Sequence, residues 1–454
     1  MAEQKDTANI AIIGAGILGT ALAYILSSLS NVRIILLEQE KRVGAHTSSR
    51  NTGKVHAPFI YNPLKKKIFA KASLYGYNFW KEYCNAKDIL FKEDGVIEVA
   101  AANSNRDIET VYKHYDWGLR NGLEKNEIKI LDRKEMEKVE PNVRCQAAIL
   151  CTKDASVDYG EITASLAVEA SKNNVRTITA AKVTEIREVK RDGMLRLKYR
   201  NQEVGDEKGI ECDFLINSAG GNSLGIVNKM GISHTYRDLY FRGEYWIAPP
   251  KYKDLTKHSI YSTPQFSQFP FLDPHWIIRS NGNREIGPNA CPVFSPYGYN
   301  NLTNIREFFP KMYQIIRGSN LSAKNRLLKK DILEMLSKET LSSLSKHYMI
   351  KRVKKFLPLL DSRDFTSRGI SGIRSNLIDK NGEFILNPIF MFTHNSLHIL
   401  NYNSPGATGA LSVGFSIVFK LIEKGIINRN KENRTPFKET IILDCIRDVD
   451  LNFL

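Results

Sequence analysis

The sequence lacks the long apolar runs that place a chain in a membrane. A spanning helix needs about 18 or more uncharged apolar residues, and even the apolar stretch 11–29 contains glycine and polar positions. The first residues, Met-Ala-Glu-Gln-Lys-Asp, also lack the positive region and apolar core of a secretory signal. We therefore expect a protein that is not integral to a membrane and that works in the cytoplasm.

Cysteine is scarce as well. The 454 residues contain six cysteines and no Cys-x-x-Cys pair, the six being Cys84, Cys145, Cys151, Cys212, Cys291 and Cys445. This pattern argues against a disulfide framework, a zinc site, an iron–sulfur cluster and an attached haem. No metal is predicted. The length and the hydrophobic content of 42% are sufficient for two or three domains with a large core.

The net charge of +16 is the main peculiarity of the composition. Basic residues cluster at 65–67, 324–330 and 351–355, and the last two clusters flank leucines at helical spacing, Leu333, Leu336, Leu341 and Leu344. Three interpretations stay open: a solvated basic helix face, contact with anionic lipid headgroups at a membrane surface, and nucleic acid. Nucleic acid is disfavoured because the basic residues are not interleaved with the aromatics that single-strand binding requires.

A strand, a tight turn and a helix are predicted at the N-terminal end. The apolar run 9–13 leads into Gly14-Ala15-Gly16-Ile17-Leu18-Gly19, and apolar residues then follow at helical spacing. Such glycines allow the sharp turn, the close approach of a pyrophosphate, and tight packing of helix on strand. A second apolar run, 32–37, ends in Glu38, an acid suited to the ribose hydroxyls. The sequence therefore predicts a dinucleotide site at which the acid disfavours a 2′-phosphate.

FAD and NAD share this pattern, so the choice between them needs another signal. The run Phe214-Leu215-Ile216-Asn217-Ser218-Ala219-Gly220 is similar to the late, glycine-ended strand of two-dinucleotide-binding flavoproteins. Val183 lies where such proteins place backbone contacts to the adenine. Both features favour FAD, with Ala219 and Gly220 close to the cofactor.

The stretch 46–63, His-Thr-Ser-Ser-Arg-Asn-Thr-Gly-Lys-Val-His-Ala-Pro-Phe-Ile-Tyr-Asn-Pro, resembles the flavin-proximal segment of the L-2-hydroxyglutarate dehydrogenase/oxidase family. This family belongs to the D-amino-acid-oxidase-like superfamily, with malate:quinone oxidoreductases as close relatives. Further similar motifs occur in the family's order at 139–144, 157–160, 241–245, 269–272, 287–290, 372–374 and 403–408. The segment departs from the family at Ser49, Arg50, Ala57 and Pro58, and Gly406 replaces an alanine, which bears on the identity of the substrate.

The resemblance implies an α/β fold with two parts. One is an FAD-binding Rossmann-like domain of the two-dinucleotide-binding, glutathione-reductase-like type, and the other an α+β substrate-binding domain built on an antiparallel sheet. We expect residues 1–80, 146–225 and 366–427 in the FAD-binding domain, and 81–145 and 226–365 in the substrate-binding cap. The cap would include a basic helical region at 305–355, and residues 428–454 would form a polar extension.

The resemblance also implies the residues of the site. The expected FAD contacts are Gly14, Gly16, Ile17, Leu18, Gly19, Glu38, Gln39, Ser48, Ser49, Asn51, Thr52, Gly53, Val183, Ala219, Gly220, Gly372, Arg374, Pro405, Gly406, Ala407 and Thr408.

Oxidation of a 2-hydroxy acid requires a base for the hydroxyl proton and cations for the carboxylates. His56 is the candidate base, with a hydrogen bond to the flavin or to a loop carbonyl as the alternative role, and His275 is the second candidate. Arg242 and Arg374 are candidate carboxylate clamps, and structural ion pairs are the alternative. Tyr61 and Asn289 are candidate hydrogen-bond donors to the substrate.

These residues together predict FAD-dependent oxidation of L-2-hydroxyglutarate to 2-oxoglutarate, with the electrons passed to a quinone or to oxygen. The basic surface favours peripheral docking on the cytoplasmic face of an anionic membrane. The alternatives are a malate:quinone oxidoreductase, an amine or amino-acid oxidase of the same superfamily, and an RNA-associated flavoprotein.

Overall fold

A computed structural model describes residues 6–101, 104–189, 193–266, 269–300, 306–307, 329–430 and 434–451. The helices labelled here are α1 (Ile17–Leu29), α2 (Lys67–Ala86), α3 (Asn105–Asn121), α4 (Arg133–Val139), α5 (Tyr159–Ser171), α6 (Ser223–Lys229), α7 (Lys330–Leu344), α8 (Lys346–Lys354), α9 (Ala410–Glu423) and α10 (Glu439–Asp448). The strands are β1 (Asp6–Ile13), β2 (Ile34–Leu37), β3 (Lys54–Val55), β4 (Val96–Val99), β5 (Ile128–Asp132), β6 (Ala147–Cys151), β7 (Ala155–Ser156), β8 (Val175–Ile178), β9 (Ala181–Glu188), β10 (Leu195–Asn201), β11 (Glu207–Asn217), β12 (Arg237–Gly243), β13 (Trp246–Ile247), β14 (Ser259–Ser262), β15 (His275–Ile278), β16 (Arg284–Gly287), β17 (Cys291–Val293), β18 (Ser367–Arg368), β19 (Gly372–Ile378), β20 (Ile389–Phe392) and β21 (Ser396–Leu400).

The first sheet is parallel at its centre. Its strands follow the order β8-β2-β1-β11-β21, with β20 antiparallel at one edge and with β10 and β9 added to β11 as antiparallel strands. The central β1 pairs with β2 and β11, so that Ile10 lies opposite both Ile34 and Phe214. Parallel strands covered on both faces are apolar throughout, and this is why the runs 9–13, 32–37 and 213–217 predict strands from sequence.

Helix α1 packs against the sheet, α5 and α9. Every residue of α1 is buried, which is expected for a helix that is apolar on all sides. The predicted closing helix after Gly406 is α9, and most of its residues are buried in the same core. The N-terminal end of α1 is thereby fixed at the carboxyl end of β1.

A second sheet, β18-β13-β16-β15-β14-β4-β6-β5, is antiparallel except for the parallel pair β14 and β4. A smaller sheet, β17-β12-β19, pairs Phe241 of β12 with Arg374 of β19. The expected combination of a mixed α/β FAD-binding domain and a largely antiparallel second domain is confirmed.

The strand pairing moves two of the expected domain boundaries. The boundary at 146 assigns β6 to the FAD-binding domain, but β6 pairs with β4 and β5 in the second sheet. The boundary at 366 similarly assigns β18 to the FAD-binding domain, whereas β18 pairs with β13. Backbone hydrogen bonding holds both strands with the second sheet. We therefore propose the same division with β6 and β18 transferred to the substrate-binding domain.

The basic region is helical where the structure describes it, in α7 and α8, while residues 308–328 lie outside the described part. Leu336 packs inward beside Met335, and Leu333, Leu341 and Leu344 are exposed. Arg352, from the basic cluster 351–355, is largely buried and pairs with Asp273 and Glu339. Not every residue of that cluster is therefore surface charge.

The expected polar extension at 428–454 is instead partly a core element. Phe437 is buried between Phe79 and Phe415, with ring centroids at 5.0 Å and 5.7 Å. Helix α10 then buries Ile442 and Cys445 against α9. The extension docks because these three apolar side chains interrupt its polar sequence.

In the part of the chain that the structure describes, no helix is long and apolar enough to cross a membrane. All six cysteines are free thiols, and five of them are buried. The described residues contain no cluster of His, Cys, Asp and Glu side chains suited to a metal ion.

We expect Phe437→Ala to lower the free energy of unfolding by about 3–5 kcal/mol, the usual cost of truncating a buried aromatic residue. Leu443→Ala is the matched control because Leu443 is 49% exposed on the following helix. Chemical denaturation followed by tryptophan fluorescence measures both variants. Equal, small effects of the two substitutions would show that the C-terminal segment is not docked in solution.

Candidate functional site

A cavity of about 410 Å³ lies at the carboxyl ends of the parallel strands. Its wall comes from the loops after β1, β2 and β11, from the segment 44–56, and from the turn before α9. Ligands in parallel α/β sheets bind at this edge because the loops and helix N-termini converge there.

The glycine turn closes one side of the cavity. Gly14 has φ +99°, and a Cβ there would lie 2.6 Å from the carbonyl oxygen of Ser218. A Cβ on Gly19 would overlap the carbonyl oxygen of Gly14, so Gly19 acts through packing and not by lining the cavity. The amide of Ile17 donates to Ser48 Oγ at 2.9 Å, which fixes Ser48 beside the start of α1. Gly16, Ile17 and Leu18 line the cavity, so the positive dipole end of α1 faces it, as a pyrophosphate requires.

Glu38 forms part of the wall at the end of β2. Its Oε2 accepts from the amide of Ala15 at 2.9 Å, and its Oε1 accepts from the amide of Glu40 at 3.0 Å. Burial raises the pKa of Glu38, and the two backbone hydrogen bonds oppose that rise. The amides fix the carboxylate in place and leave further lone pairs for ribose hydroxyls. The turn and this acid together fit the adenosine and pyrophosphate of FAD.

Most of the expected FAD contacts line the cavity. These residues are Gly14, Gly16, Ile17, Leu18, Glu38, Gln39, Ser48, Asn51, Thr52, Val183, Ala219, Gly220, Gly372, Arg374, Pro405, Gly406, Ala407 and Thr408. Ser49 and Gly53 belong to the same segment as Ser48 but do not contribute to the lining. The order of the segments around the cavity agrees with FAD extended from the glycine turn to the 405–408 turn.

Two histidines meet at the far end of the cavity. The His56 Nδ1 lies 3.9 Å from Asp154 Oδ2, and its side chain is 12% exposed. Burial lowers the pKa of His56 to about 3, and the charges of Lys54 and Arg374, together with that of His275 when it is protonated, act in the same direction. His275 Nδ1 lies 2.9 Å from the carbonyl oxygen of Asp273, which fixes Nδ1 as the protonated nitrogen and Nε2 as an acceptor. Burial also lowers the pKa of His275, to about 4, so both rings are neutral hydrogen-bond acceptors at physiological pH.

A buried ammonium group lies beneath His56. The Lys54 residue is 1% exposed, and its Nζ donates to Asp94 Oδ1 and Ser156 Oγ, both at 2.9 Å. The same Nζ lies 3.3 Å from Asp154 Oδ1. Burial raises the pKa of Asp154 to about 7, while the charge of Lys54 acts in the opposite direction.

Two further cations lie near this end of the cavity, although of the two only Arg374 contributes to its lining. Arg374 lines the cavity, and Lys66 lies over the ring of Tyr61 at 6.0 Å from its centroid. Burial, together with the charge of Arg374, lowers the pKa of Lys66 to about 8. Among the described residues, no carboxylate forms an ion pair with either group, although the protein contains 49 acidic residues. The arrangement can accept one or two carboxylates from a ligand.

Arg242 and Asn289 have structural partners instead of the expected substrate contacts. Arg242 Nη2 lies 3.1 Å from Glu244 Oε1, and its Nη1 donates to the carbonyl oxygen of Gly298 at 3.0 Å. The Asn289 side chain is fixed by Glu244, to whose Oε2 it donates at 3.0 Å and from whose amide it accepts at 2.8 Å. Neither residue lines the cavity. Of the two predicted carboxylate clamps, Arg242 therefore has the structural ion pair that was its alternative role, and Arg374 stays a candidate.

Tyr61 is buried next to the cavity without contributing to its lining. Burial raises the pKa of its phenol, and Asp154 adds to that rise. The expected hydrogen bond from Tyr61 to a substrate therefore stays a prediction, while its ring supports Lys66.

Sequence reasoning missed Lys54, Asp154 and the particular importance of Lys66. Lys54 does stand inside the quoted segment 46–63, in a two-residue strand with no charged pattern around it. Lys66 is visible only as one of three consecutive lysines. No sequence signal connects Asp154 to His56, because their contact exists only once β3 has paired with β7.

The parallel sheet, the glycine turn and the acid at the end of β2 define the class of dinucleotide-binding oxidoreductases. A model of the family described as FAD dependent oxidoreductase matches residues 9–418. The chain belongs to this family, and FAD is its cofactor.

Relatives and solved structures agree with this assignment. The mitochondrial L-2-hydroxyglutarate dehydrogenase of Bos taurus is 30% identical over 418 residues, which cover 89% of this chain and 86% of that protein. The L-2-hydroxyglutarate dehydrogenase of Escherichia coli strain K12 is 27% identical over 415 residues, with 91% and 93% covered. The structure of an L-α-glycerophosphate oxidase from Mycoplasma pneumoniae with FAD bound has a TM-score of 0.69 at 19% identity, covering 94% of this chain and 97% of that one. The resemblance found in the sequence is confirmed.

We expect Glu38→Gln to weaken FAD binding about 10- to 100-fold, because hydrogen bonds to a charged group contribute about 1.5–3 kcal/mol. Quenching of flavin fluorescence on titration of the apoprotein measures the affinity. Glu40→Gln is the control, since Glu40 pairs with His46 and does not line the cavity. Equal affinities of the two variants would contradict the role of Glu38 at the ribose.

Proposed function

We propose that the protein oxidises L-2-hydroxyglutarate to 2-oxoglutarate. The observation that carries this proposal is Arg374, which lines the cavity with His56 and His275 and has no carboxylate partner among the described residues. Lys66 lies near Arg374, outside the lining, and is likewise without a carboxylate partner among those residues. A dicarboxylate with a hydroxyl group matches that set of charges and acceptors. The names of the relatives in cattle and Escherichia coli support the same substrate.

The residues divide the chemistry between them. FAD, when bound, supplies the acceptor for the hydride that leaves carbon 2 of the substrate. Arg374 binds one carboxylate, and Lys66 binds the other. His56, neutral at physiological pH, accepts the hydroxyl proton through Nε2, because its Nδ1 faces Asp154. His275 Nε2, which has no hydrogen-bond partner among the described residues, accepts a second hydrogen bond from the ligand.

Malate is the second candidate substrate. It carries the same groups on a chain that is one carbon shorter, and the departures at Ser49, Arg50, Ala57 and Pro58 lie in the segment that borders the reactive end. An amine or amino-acid oxidase would share the fold but would not need a base for an alcohol. An RNA-associated flavoprotein would use the surface charge and leave the cavity cations unexplained.

A substrate panel tests the proposal. The holoenzyme is mixed without oxygen with L-2-hydroxyglutarate, D-2-hydroxyglutarate, L-malate, glycerol 3-phosphate or glycine, and bleaching of the flavin absorbance is followed. We expect L-2-hydroxyglutarate to bleach the flavin fastest. Faster bleaching by glycine with release of ammonia would overturn the proposal, and faster bleaching by L-malate would replace the substrate.

We expect Lys66→Met to raise the KM for L-2-hydroxyglutarate about 10- to 100-fold, since a charge-assisted contact is lost. Turnover of L-2-hydroxybutyrate, which has one carboxylate, should change little.

In the wild type, the KM for L-2-hydroxyglutarate should rise above about pH 8, where Lys66 loses its proton. Steady-state kinetics measure the KM of each protein. Lys65→Met is the control, because Lys65 is the exposed neighbour of Lys66. An equal loss with both substrates would rule out a contact to the distal carboxylate.

We also propose that the electrons pass to a quinone at an anionic bilayer. Helix α7 exposes Leu333, Leu341 and Leu344, with exposures of 47%, 48% and 76%. Lys329 and Lys330 are exposed at its start, and Lys351, Lys354 and Lys355 are exposed in and after α8. Exposed leucines beside lysines suit the headgroup region of an anionic membrane, where each lysine contributes about 1 kcal/mol.

We expect the double variant Leu341→Asp/Leu344→Asp to lose binding to phosphatidylglycerol vesicles that the wild type retains. Vesicle flotation at low and high salt measures the binding, and neutral phosphatidylcholine vesicles provide the lipid control. Val204→Asp is the matched variant, because Val204 is 72% exposed outside α7 and α8. Failure of the wild type to float with anionic vesicles would contradict peripheral docking.

A further inference from the structure

Three buried charged side chains form a group beneath His56. Lys54, Asp94 and Asp154 are buried together, although each burial of a charge costs several kcal/mol unless it is paired. A cluster of this kind next to a reactive group often tunes that group.

Asp154 contacts the His56 segment in two ways. Its Oδ2 accepts from the amide of Ala57 at 3.2 Å and lies 3.9 Å from His56 Nδ1. The other oxygen, Oδ1, faces Lys54 Nζ at 3.3 Å. The carboxylate is therefore fixed by the backbone next to His56 and by the ammonium of Lys54, with one edge directed toward the imidazole.

Lys54 is itself fixed by strand pairing. It lies opposite Ser156 in the β3–β7 pair, and its ammonium reaches Asp94, which also accepts from Ser156 Oγ at 2.7 Å. The backbone amide of His56 donates to Thr408 Oγ1 at 3.0 Å. The backbone of His56 is thus held by Thr408 and the Asp154 carboxylate by Ala57 and Lys54, so contacts of the fold set the distance between the imidazole and the carboxylate.

We propose that Asp154, held by Lys54 and Asp94, is a positioning residue that orients His56 and stabilises the proton which His56 takes from the substrate hydroxyl. The inference rests on the proposed function, because it concerns the same base. The proton leaves the hydroxyl oxygen for His56 Nε2, and the resulting imidazolium places its Nδ1–H toward the Asp154 carboxylate. Asp154 does not contact the substrate, since it does not line the cavity.

The charge state of Asp154 determines when this stabilisation operates. Burial raises its pKa to about 7, so the carboxylate ionises near neutral pH, while the pKa of His56 lies far lower. The rate of proton removal should therefore rise with pH through the ionisation of Asp154, and the ionisation of His56 should lie below the working range.

The other titratable and charged groups that face Asp154 are Lys54, His56, Tyr61, Tyr77, Asp94, Cys151, Tyr159 and Tyr261. The pKa values of its cysteine and tyrosine neighbours are raised, so these stay neutral in that range.

The test uses the holoenzyme and follows anaerobic flavin reduction by L-2-hydroxyglutarate between about pH 5 and 9. In the wild type, the limiting rate should rise with a midpoint near the pKa of Asp154, about 7. Asp154→Asn should lower the rate at high pH about 10- to 100-fold, the range found for outer-shell partners at other sites. The same variant should lose the pH-dependent rise and keep its KM.

Two variants provide comparison. Lys54→Met should move the midpoint upward, because Lys54 lowers the pKa of Asp154. Glu98→Gln is the matched control, since Glu98 is a buried carboxylate 2.8 Å from His114 Nδ1 and does not line the cavity. It should leave both the rate and the midpoint unchanged.

An infrared titration gives a readout that is independent of turnover. In the wild type, the carboxylic-acid band of protonated Asp154 should disappear as the pH rises through neutrality. The band should not occur at any pH in Asp154→Asn, and in Glu98→Gln it should titrate as in the wild type. Failure of the wild type to be reduced by L-2-hydroxyglutarate would overturn the proposed function. Three outcomes would overturn this inference alone. The wild type is reduced by L-2-hydroxyglutarate but at a rate that does not change with pH, the Asp154→Asn variant has the wild-type pH profile, or the infrared band is absent near neutral pH.

Discussion

The ion pairs of Lys54 are the interaction on which the rest of the site depends. A buried ammonium is tolerated only with carboxylates beside it, and here they come from two places, Asp94 before β4 and Asp154 before β7. The network therefore connects the flavin-proximal segment to strands of the second sheet. Because His56 follows Lys54 by two residues, the same bonds that stabilise the fold determine where the imidazole lies.

The cavity has two halves with different physical character. At the glycine turn, backbone amides, the α1 dipole and one fixed carboxylate recognise phosphates and ribose, and these groups are set by contiguous backbone. At the other end, His56 after β3, His275 of β15 and Arg374 of β19 converge on the cavity, with Lys66 nearby before α2. The charges of Arg374 and Lys66 have no carboxylate partner among the described residues. A cofactor site is built by local geometry, whereas the substrate site depends on how distant segments pack.

This difference explains what the sequence could predict. Gly14, Gly19 and Glu38 belong to a local strand-turn-helix motif, so their roles follow from spacing alone. His56, His275 and Arg374 reach one cavity from three distant segments, which the family resemblance indicates and periodicity does not. The ion pair of Arg242 could have been predicted from the sequence. Glu244 follows Arg242 by two residues close to the end of β12, and residues at this spacing share a strand face. The contact of Asp154 with His56 depends on the short β3–β7 pairing, for which no pattern exists.

In the proposed complex, one dicarboxylate lies between Arg374 and Lys66 with its hydroxyl carbon beside His56. A crystal structure of the holoenzyme with 2-oxoglutarate, the product, tests this claim most directly. We predict one carboxylate within hydrogen-bond distance of Arg374, the other at Lys66, and the 2-oxo oxygen near His56 Nε2. A ligand whose distal carboxylate points away from Lys66, or whose oxo group faces neither His56 nor His275, would contradict the account.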